Sequence, residues 1–266
     1  MERTPIDIAV NGAAGRMGRA LLRVAHDVPG VNIVAALVRD ASGSSASTLV
    51  ADVSCATTLD ANVHPHVLID FTGPSGFDAA LALARERRIG FVCGSTGLAP
   101  MQQRMLDDAA SAIAVLWSPN FSFGVSALMR AVRDAAARLP GWDCEIIEAH
   151  HRGKQDAPSG TALALGRAVA DARGQDFDGA MKTGRVEHPT ARSPEDIGFA
   201  VVRGGNLAGE HMVMFLGEGE RIELSHRAVD RDIFARGAIA AAIWLRDQPP
   251  GRYEFEQIGS REHARG

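Results

Sequence analysis

The chain has only three cysteines, Cys55, Cys93 and Cys144. They are odd in number, far apart and without a CxxC pair. That argues against a disulfide framework or a structural zinc site and favours a reducing compartment. There is no basic excess either: 28 Lys and Arg stand against 32 Asp and Glu, a formal net charge of −4. A protein that holds nucleic acid by neutralising phosphates is therefore not expected, although a local basic pocket for a small anion stays open. Long apolar runs are missing as well. Met1 to Pro5 leads straight into a short apolar strand, without the extended apolar region of a signal peptide. The most apolar late stretch, Ala238 to Leu245, falls far short of the roughly 20 residues of a membrane span. No internal repeat is visible. The expectation is a cytoplasmic protein with neither nucleic acid nor membrane as partner.

What is present is enough for a real core. Apolar residues make up 46% of 266, room for one large domain or two smaller ones. Short apolar runs at Ile6–Val10, Val31–Val38, Val67–Phe71, Phe91–Cys93 and Ala114–Trp117 read as buried strands. Helical spacing at Arg19–His26 and Phe77–Arg87 lies between them. This alternation predicts an α/β domain with a Rossmann-like, doubly wound parallel sheet. Residues 40–48, rich in Ser and Gly, read as a loop.

The pattern changes near residue 121. A helix is expected after Ser122, a strand at Asp143–Ala149, and a helix at Gly160–Ala172 behind Ser159 as N-cap. Polar residues 173–196 read as a long loop. Three consecutive strand-like runs follow, Ile197–Arg203, Glu210–Leu216 and Arg221–Ala228, and predict a second α+β domain with a mixed or antiparallel sheet. A closing helix spans Phe234–Leu245. The expected division is residues 1–121, with 231–266 returning to them, as a dinucleotide-binding domain. Residues 122–230 would be a substrate-binding and oligomerisation domain.

Gly12-Ala13-Ala14-Gly15-Arg16-Met17-Gly18 lies between the first strand and the first helix. Gly12 permits a tight turn. Gly15 lets the backbone approach a pyrophosphate, and the helix N-terminus offers free N–H donors. The usual middle glycine is absent, since Ala14 stands there, so an ordinary glycine-rich turn is the plainer alternative. The second strand ends Leu37-Val38-Arg39-Asp40, without an acid at 38 to take the ribose hydroxyls. Arg39 suits a 2′-phosphate, or is simply a surface charge. Asp40 would serve the ribose if the strand ran one residue longer. Gly94-Ser95-Thr96-Gly97 and Ser118-Pro119-Asn120-Phe121 follow two further strands, at the edge where ligands of such sheets collect.

Residues 148–162, EAHHRGKQDAPSGTA, carry the most chemistry. His150 and His151 are neighbours on a strand and point to opposite faces. Lys154 would repel a cation, so no metal is expected. An acid and anion site fits better. Histidine exchanges protons near neutral pH, lysine donates a proton or holds a carboxylate, and Ser159, Gly160 and Thr161 open a helix. The alternative is a solvated turn with Ser159 as no more than a cap.

Taken with GxxGRMG at 12–18, IDFT at 69–72, GSTG at 94–97, NFSFGV at 120–125, GEH at 209–211 and HRAVDRDIFARGA at 226–238, this stretch resembles the dihydrodipicolinate (4-hydroxy-tetrahydrodipicolinate) reductases of lysine and diaminopimelate biosynthesis. The resemblance runs from Ile6 to about Leu245. It implies reduction of a cyclic dicarboxylate by NADPH or NADH, with water lost, in a homotetramer. By position it implies proton transfer by His150 and Lys154. It implies substrate contacts at His151, Lys154, Ser159, Gly160 and Thr161. Nucleotide contacts are implied at Gly12, Ala13, Ala14, Gly15, Arg16, Met17, Arg39, Gly94, Ser95, Thr96, Ser118, Pro119, Asn120 and Phe121. Val38 stands where many members carry an acid, so NADPH is expected to be preferred. Two rivals remain: a Rossmann aldehyde or sugar dehydrogenase, whose aldehyde form needs a nucleophile such as Cys144, and a nucleotide-sensing protein without catalysis.

Overall fold

The computed structural model describes residues 5–39, 53, 55–184 and 191–258. In chain order the elements begin β1 (Ile6–Asn11), α1 (Arg16–His26), β2 (Val31–Leu37), β3 (Cys55–Ala56), β4 (Val67–Asp70), α2 (Pro74–Arg87), β5 (Gly90–Cys93), α3 (Pro100–Ala109) and β6 (Ala114–Trp117). Then come α4 (Phe123–Arg138), β7 (Asp143–His150), α5 (Gly160–Arg173), α6 (Phe177–Ala180), β8 (Met181–Lys182), β9 (Ile197–Arg203), β10 (Gly209–Leu216) and β11 (Arg221–Ala228). The chain closes with α7 (Asp232–Leu245), β12 (Gly251–Tyr253) and a 3-10 turn at Phe255–Gln257. It divides into two compact units, Met1–Phe121 with Arg231–Gly266, and Ser122–Asp230.

The first unit is a seven-stranded sheet in the order β12-β6-β5-β4-β1-β2-β3, all of its pairings parallel. Its central strands are apolar on both sides because helices cover both faces. Ile8, Val10, Val67, Ile69 and Val92 face one core with α1 and α7, while Ala9, Leu68, Phe91 and Cys93 face the other with α2 and α3. Alternate residues of one strand thus serve two cores. Helix α7 carries Ala235, Gly237, Ala238, Ala241 and Ala242 inward. These small residues let it lie close: a Cβ on Gly237 would sit 1.8 Å from the Phe121 carbonyl oxygen.

The second unit is a five-stranded mixed sheet in the order β11-β10-β7-β9-β8. Strand β10 runs antiparallel to β7 and β11, whereas β9 is parallel to β7 and β8. One face packs under α4 and α5 through Leu128, Val132, Leu165, Val169, Cys144, Ile146, Val213 and Phe215. The other face has no covering element among the described residues of this unit. Strand β7 alternates strictly, with Cys144, Ile146, Glu148 and His150 inward, so two polar side chains occupy core-facing positions.

Several expectations are corrected. The stretch read as a loop, 173–196, contains α6 and the edge strand β8, because Phe177 and Ala180 reach the core and Met181 pairs with Ile197. Residues 185–190 lie outside the description, as does the expected 40–48 loop. Helix α1 starts at Arg16 rather than Arg19, and α2 starts at Pro74, where proline at the first turn gives up no needed donor. Strands β2 and β4 each stop one residue earlier than expected, at Leu37 and Asp70. Strands β3 and β12 and helix α3 went unread.

Candidate active site

In the first unit, the C-terminal strand ends form one edge. After β1 the chain turns at Gly12, whose φ of +78° belongs to the glycine-favouring region. The N–H groups of Gly12 and Ala13 both donate to the Leu37 carbonyl at 3.0 Å, tying the turn to the end of β2. Helix α1 then begins behind Gly15, with no side-chain cap and no acid in its first turn. An open, uncapped helix start is what a phosphate needs. Gly18 sets how closely the helix rests on the turn, since a Cβ there would lie 2.2 Å from the Gly12 carbonyl oxygen. Ala14 is exposed, so its methyl group intrudes on nothing.

Gly94–Thr96 and Ser118–Phe121 follow β5 and β6 on the same edge, and Arg39 follows β2 there, exposed like Arg16. Not all of these offer a side chain outward. Phe121 is buried, its ring packed against Phe71 and Phe255. Ser95 is buried too, and its hydroxyl turns inward.

The reason is Asp70, a fully buried carboxylate at the end of β4. Its Oδ1 accepts from Asn11 Nδ2 at 2.8 Å and Thr72 Oγ1 at 2.7 Å, and its Oδ2 from Ser95 Oγ at 2.7 Å. Ser95 Oγ accepts in turn from the Gly73 N–H. One acid thereby locks the ends of β1, β4 and β5 together. Sequence reading passed over it, although an Asp closing an apolar strand just before Thr-Gly-Pro was a visible signal. Arg231 was also missed: burial, and then the positive charge of Arg16, lower its guanidinium pKa below the usual value.

The second unit gathers the histidine–lysine segment. Glu148 Oε2 lies 2.6 Å from His150 Nδ1, and its Oε1 accepts from the Ser159 N–H at 2.9 Å. Arg203, opposite His150 on β9, clamps both oxygens at 2.8 Å and also donates to the Asp156 carbonyl. Ser159 caps α5 by accepting from Ala162 N, and its hydroxyl reaches His211 Nε2 at 3.1 Å. The rings of His150 and His211 stand edge to face at 5.2 Å. His151 is half-buried beyond the strand end, its N–H donating to the Leu207 carbonyl.

Lys154 is bound at present by a carboxylate of the chain itself. Its Nζ is 2.8 Å from both oxygens of Asp156, and the backbone N–H of Gly160 helps to lower the pKa of that carboxyl. A Cβ on Gly160 would meet nothing within 4 Å, so the start of α5 is open. Lys154 and the α5 N-terminus therefore form an anion cradle with an internal carboxylate resting in it.

Burial works to raise the Glu148 pKa, but the bonds from Arg203, His150 and Ser159 outweigh it and keep the acid ionised. Burial lowers His150 below the usual histidine value; Glu148 opposes this, while the charges of Lys154 and Arg203 reinforce it. His211, deeper still, is pushed down to about 4 by burial and then by His150. Asp156 is held below the usual carboxylate range: burial acts against this, and Lys154 overrides it. Cys144 is buried and pushed up to about 12 by burial, so it supplies no thiolate. That removes the nucleophile an aldehyde dehydrogenase would require.

The fold and the glycine turn define a Rossmann-type oxidoreductase that takes a nicotinamide cofactor, with a second unit that carries an acid–anion cluster. Comparison with known proteins narrows the class. The family models for the dihydrodipicolinate reductase N-terminus and C-terminus match residues 6–121 and 124–258. The 4-hydroxy-tetrahydrodipicolinate reductase of Stenotrophomonas maltophilia R551-3 is 43% identical over 262 residues, covering 97% of this chain and 99% of that one. Its counterpart from Caulobacter vibrioides is 44% identical over 260 residues, covering 96% and 97%. Among solved structures, the dipicolinate-bound dihydrodipicolinate reductase from Paenisporosarcina sp. TG-14 superposes with a TM-score of 0.76 at 25% identity, covering 96% of this chain and all of that one. GenD2 of gentamicin biosynthesis, solved with NAD, shares the fold at a TM-score of 0.59 and 13% identity. This chain belongs to the dihydrodipicolinate reductase family.

The Asp70 arrangement carries its own prediction. Asp70→Ala leaves a buried serine hydroxyl and the Asn11 amide without their acceptor. The expected cost is about 1–3 kcal/mol of stability, together with weaker nucleotide binding as the strand ends loosen. Urea unfolding and a nucleotide titration check both; an unchanged midpoint and an unchanged Kd would show that the cluster is incidental.

Proposed function

We propose that the two units divide one reduction between them, with the first holding NAD(P)H and the second holding and protonating a cyclic dicarboxylate. As a member of its family, the chain is an NAD(P)H-dependent 4-hydroxy-tetrahydrodipicolinate reductase acting in lysine and diaminopimelate biosynthesis. The observation that carries the residue assignment is the anion cradle: Lys154 already holds one carboxylate at the open start of α5, beside the buried imidazole of His150.

The residues fit the cofactor. Gly12 to Met17 present an uncapped helix start to a pyrophosphate, and the backbone around Gly94 to Thr96 and Ser118 to Asn120 lines the same sheet edge. Bound there, the nicotinamide supplies the hydride. In the second unit a substrate carboxylate takes the place of Asp156 on Lys154 and at the Gly160-Thr161 helix start, and His151 serves the same substrate. Once the substrate's hydroxyl has left as water, hydride added to the ring carbon sends negative charge toward the ring nitrogen. A proton from His150 or Lys154 quenches that charge.

NADPH is the preferred cofactor in this reading. Val38 is buried and its N–H is spent on the Ala56 carbonyl, so position 38 has no carboxylate to accept from a ribose diol or to repel a 2′-phosphate. Exposed Arg16 and Arg39, with Arg231 beside Arg16, supply positive charge. A charge-assisted bond from arginine to phosphate contributes roughly 1.5–3 kcal/mol, or about 10- to 100-fold in affinity.

The open face of the second sheet supports a homotetramer. Ile147, Met212 and Met214 are only half-buried there, and Ala200 and Val202 are exposed. Such a contiguous apolar face marks a contact surface. Light scattering is expected to give four chains per particle, and a monomer at micromolar concentration would remove the proposal. Cys93 and Cys144 are buried thiols outside any disulfide, and we place the enzyme in the cytoplasm; no described helix is long and apolar enough to cross a membrane.

The test of the activity uses freshly made condensation product of pyruvate and aspartate semialdehyde. Nicotinamide absorbance is expected to fall only when that product is present, with NADPH giving the higher kcat/KM and Val38→Glu shifting the preference toward NADH. Cofactor binding without turnover would leave a nucleotide sensor. Equal or better use of NADH by the wild type would show that Arg39 faces solvent.

A further inference from the structure

Glu148 does more than tie elements together. It stands two residues before His150 on β7, on the same inward face. Its side chain is 1% exposed, so no bulk water competes for its oxygens. An ionised carboxylate only accepts hydrogen bonds. The 2.6 Å contact between Glu148 Oε2 and His150 Nδ1 therefore requires the imidazole proton on Nδ1. In neutral His150 this leaves Nε2 bare. The neighbourhood of Nε2 is kept clear by Gly209 of the GEH motif: its φ is +152°, and a Cβ there would sit 3.0 Å from Nε2.

We propose that Glu148 is a positioning residue for the reduction, fixing the tautomer and orientation of His150 so that Nε2 is the atom that exchanges a proton with substrate, while Arg203 and the Ser159 N–H keep Glu148 itself ionised. This rests on the reading of His150 given above. The charged and titratable groups around His150 are Glu148 on its own strand, Lys154 and behind it Asp156 on the following turn, Arg203 on β9 and His211 on β10, with His226 beyond it on β11. Of these only Glu148 favours the imidazolium through direct contact, and Lys154 and Arg203 oppose it. Glu148 thus also offsets part of the burial that disfavours the protonated imidazole.

The test is Glu148→Gln, which preserves shape. Its amide oxygen keeps the Ser159 N–H and Arg203 Nη2, while its NH2 gives up the bond from Arg203 Nη1 and faces His150 Nδ1, which forces the proton onto Nε2. Nitrogen-15 spectra of histidine-labelled enzyme are expected to show His150 protonated on Nδ1 in the wild type and on Nε2 in the variant. The kcat is expected to fall on the order of 100-fold or more, with KM within about threefold. The alkaline limb of the rate profile moves to lower pH, because losing the negative partner lowers the His150 pKa. Glu148→Asp, which keeps a carboxylate, restores part of the rate and the native tautomer. A purely structural Glu148 would lower the melting temperature and leave tautomer and pH profile alone. That result, or a wild-type His150 protonated on Nε2, overturns the proposal; the wild-type spectrum decides even if the variant does not fold. His150→Gln separates the two levels. If it stays within threefold of wild-type kcat, the reading of His150 itself has failed. If it is slow while Glu148→Gln is not, only the present proposal falls.

Discussion

A carboxylate buried away from water has to be paid for by its neighbours, and Glu148 determines which neighbours those are. An isolated ionised acid in a core is prohibitive, and a paired one becomes strongly destabilising once a partner is removed, typically by 3–5 kcal/mol. The Glu148 oxygens are met by the two terminal nitrogens of Arg203, the Ser159 N–H and His150 Nδ1. Those groups come from β9, the start of α5 and β7. The energetic demand of one acid thus brings three separate pieces of chain to one point, and that point is where the imidazole, the helix start and Lys154 meet.

The same logic operates at lower charge in the first unit. Asp70 draws Asn11, Thr72 and Ser95 to a single carboxylate and aligns the loops after three parallel strands. In both units an acid outside the apparent ligand-binding residues holds them in place. Such groups preorganise a site, since donors and acceptors fixed before substrate arrives need not be ordered during the reaction. Asp156 fits this picture differently. Its carboxylate rests on Lys154 and neutralises that charge within the chain itself.

What was legible in the sequence was what is local in the chain. Glycine at 12 and 15 between a strand and a helix, and His150, Lys154 and Ser159 within ten positions, stand out as candidates by their spacing. The alternation of short apolar runs with helices disclosed the parallel sheet because each central strand is buried on both faces. What was hidden was non-local. Arg203 lies 55 positions from Glu148 and meets it only because β9 pairs with β7 in parallel. Asn11 lies 59 positions from Asp70. Strands of two or three residues such as β3, β8 and β12 have too little length for any period to show, and exist because a neighbouring strand offers an edge. The 173–196 segment read as loop since its polar composition concealed Phe177, which the core of the second unit claims.

The central claim is a division of labour: nucleotide on the first unit, dicarboxylate on the second through Lys154 and the start of α5. Calorimetric titration of NADPH and of dipicolinate, the ligand of the Paenisporosarcina structure, against wild type and Lys154→Ala tests it most directly. The account requires NADPH affinity to stay within about twofold, while dipicolinate weakens by roughly 10- to 100-fold, the worth of one charge-assisted contact. Unchanged dipicolinate affinity, or an equal loss for both ligands, would contradict it.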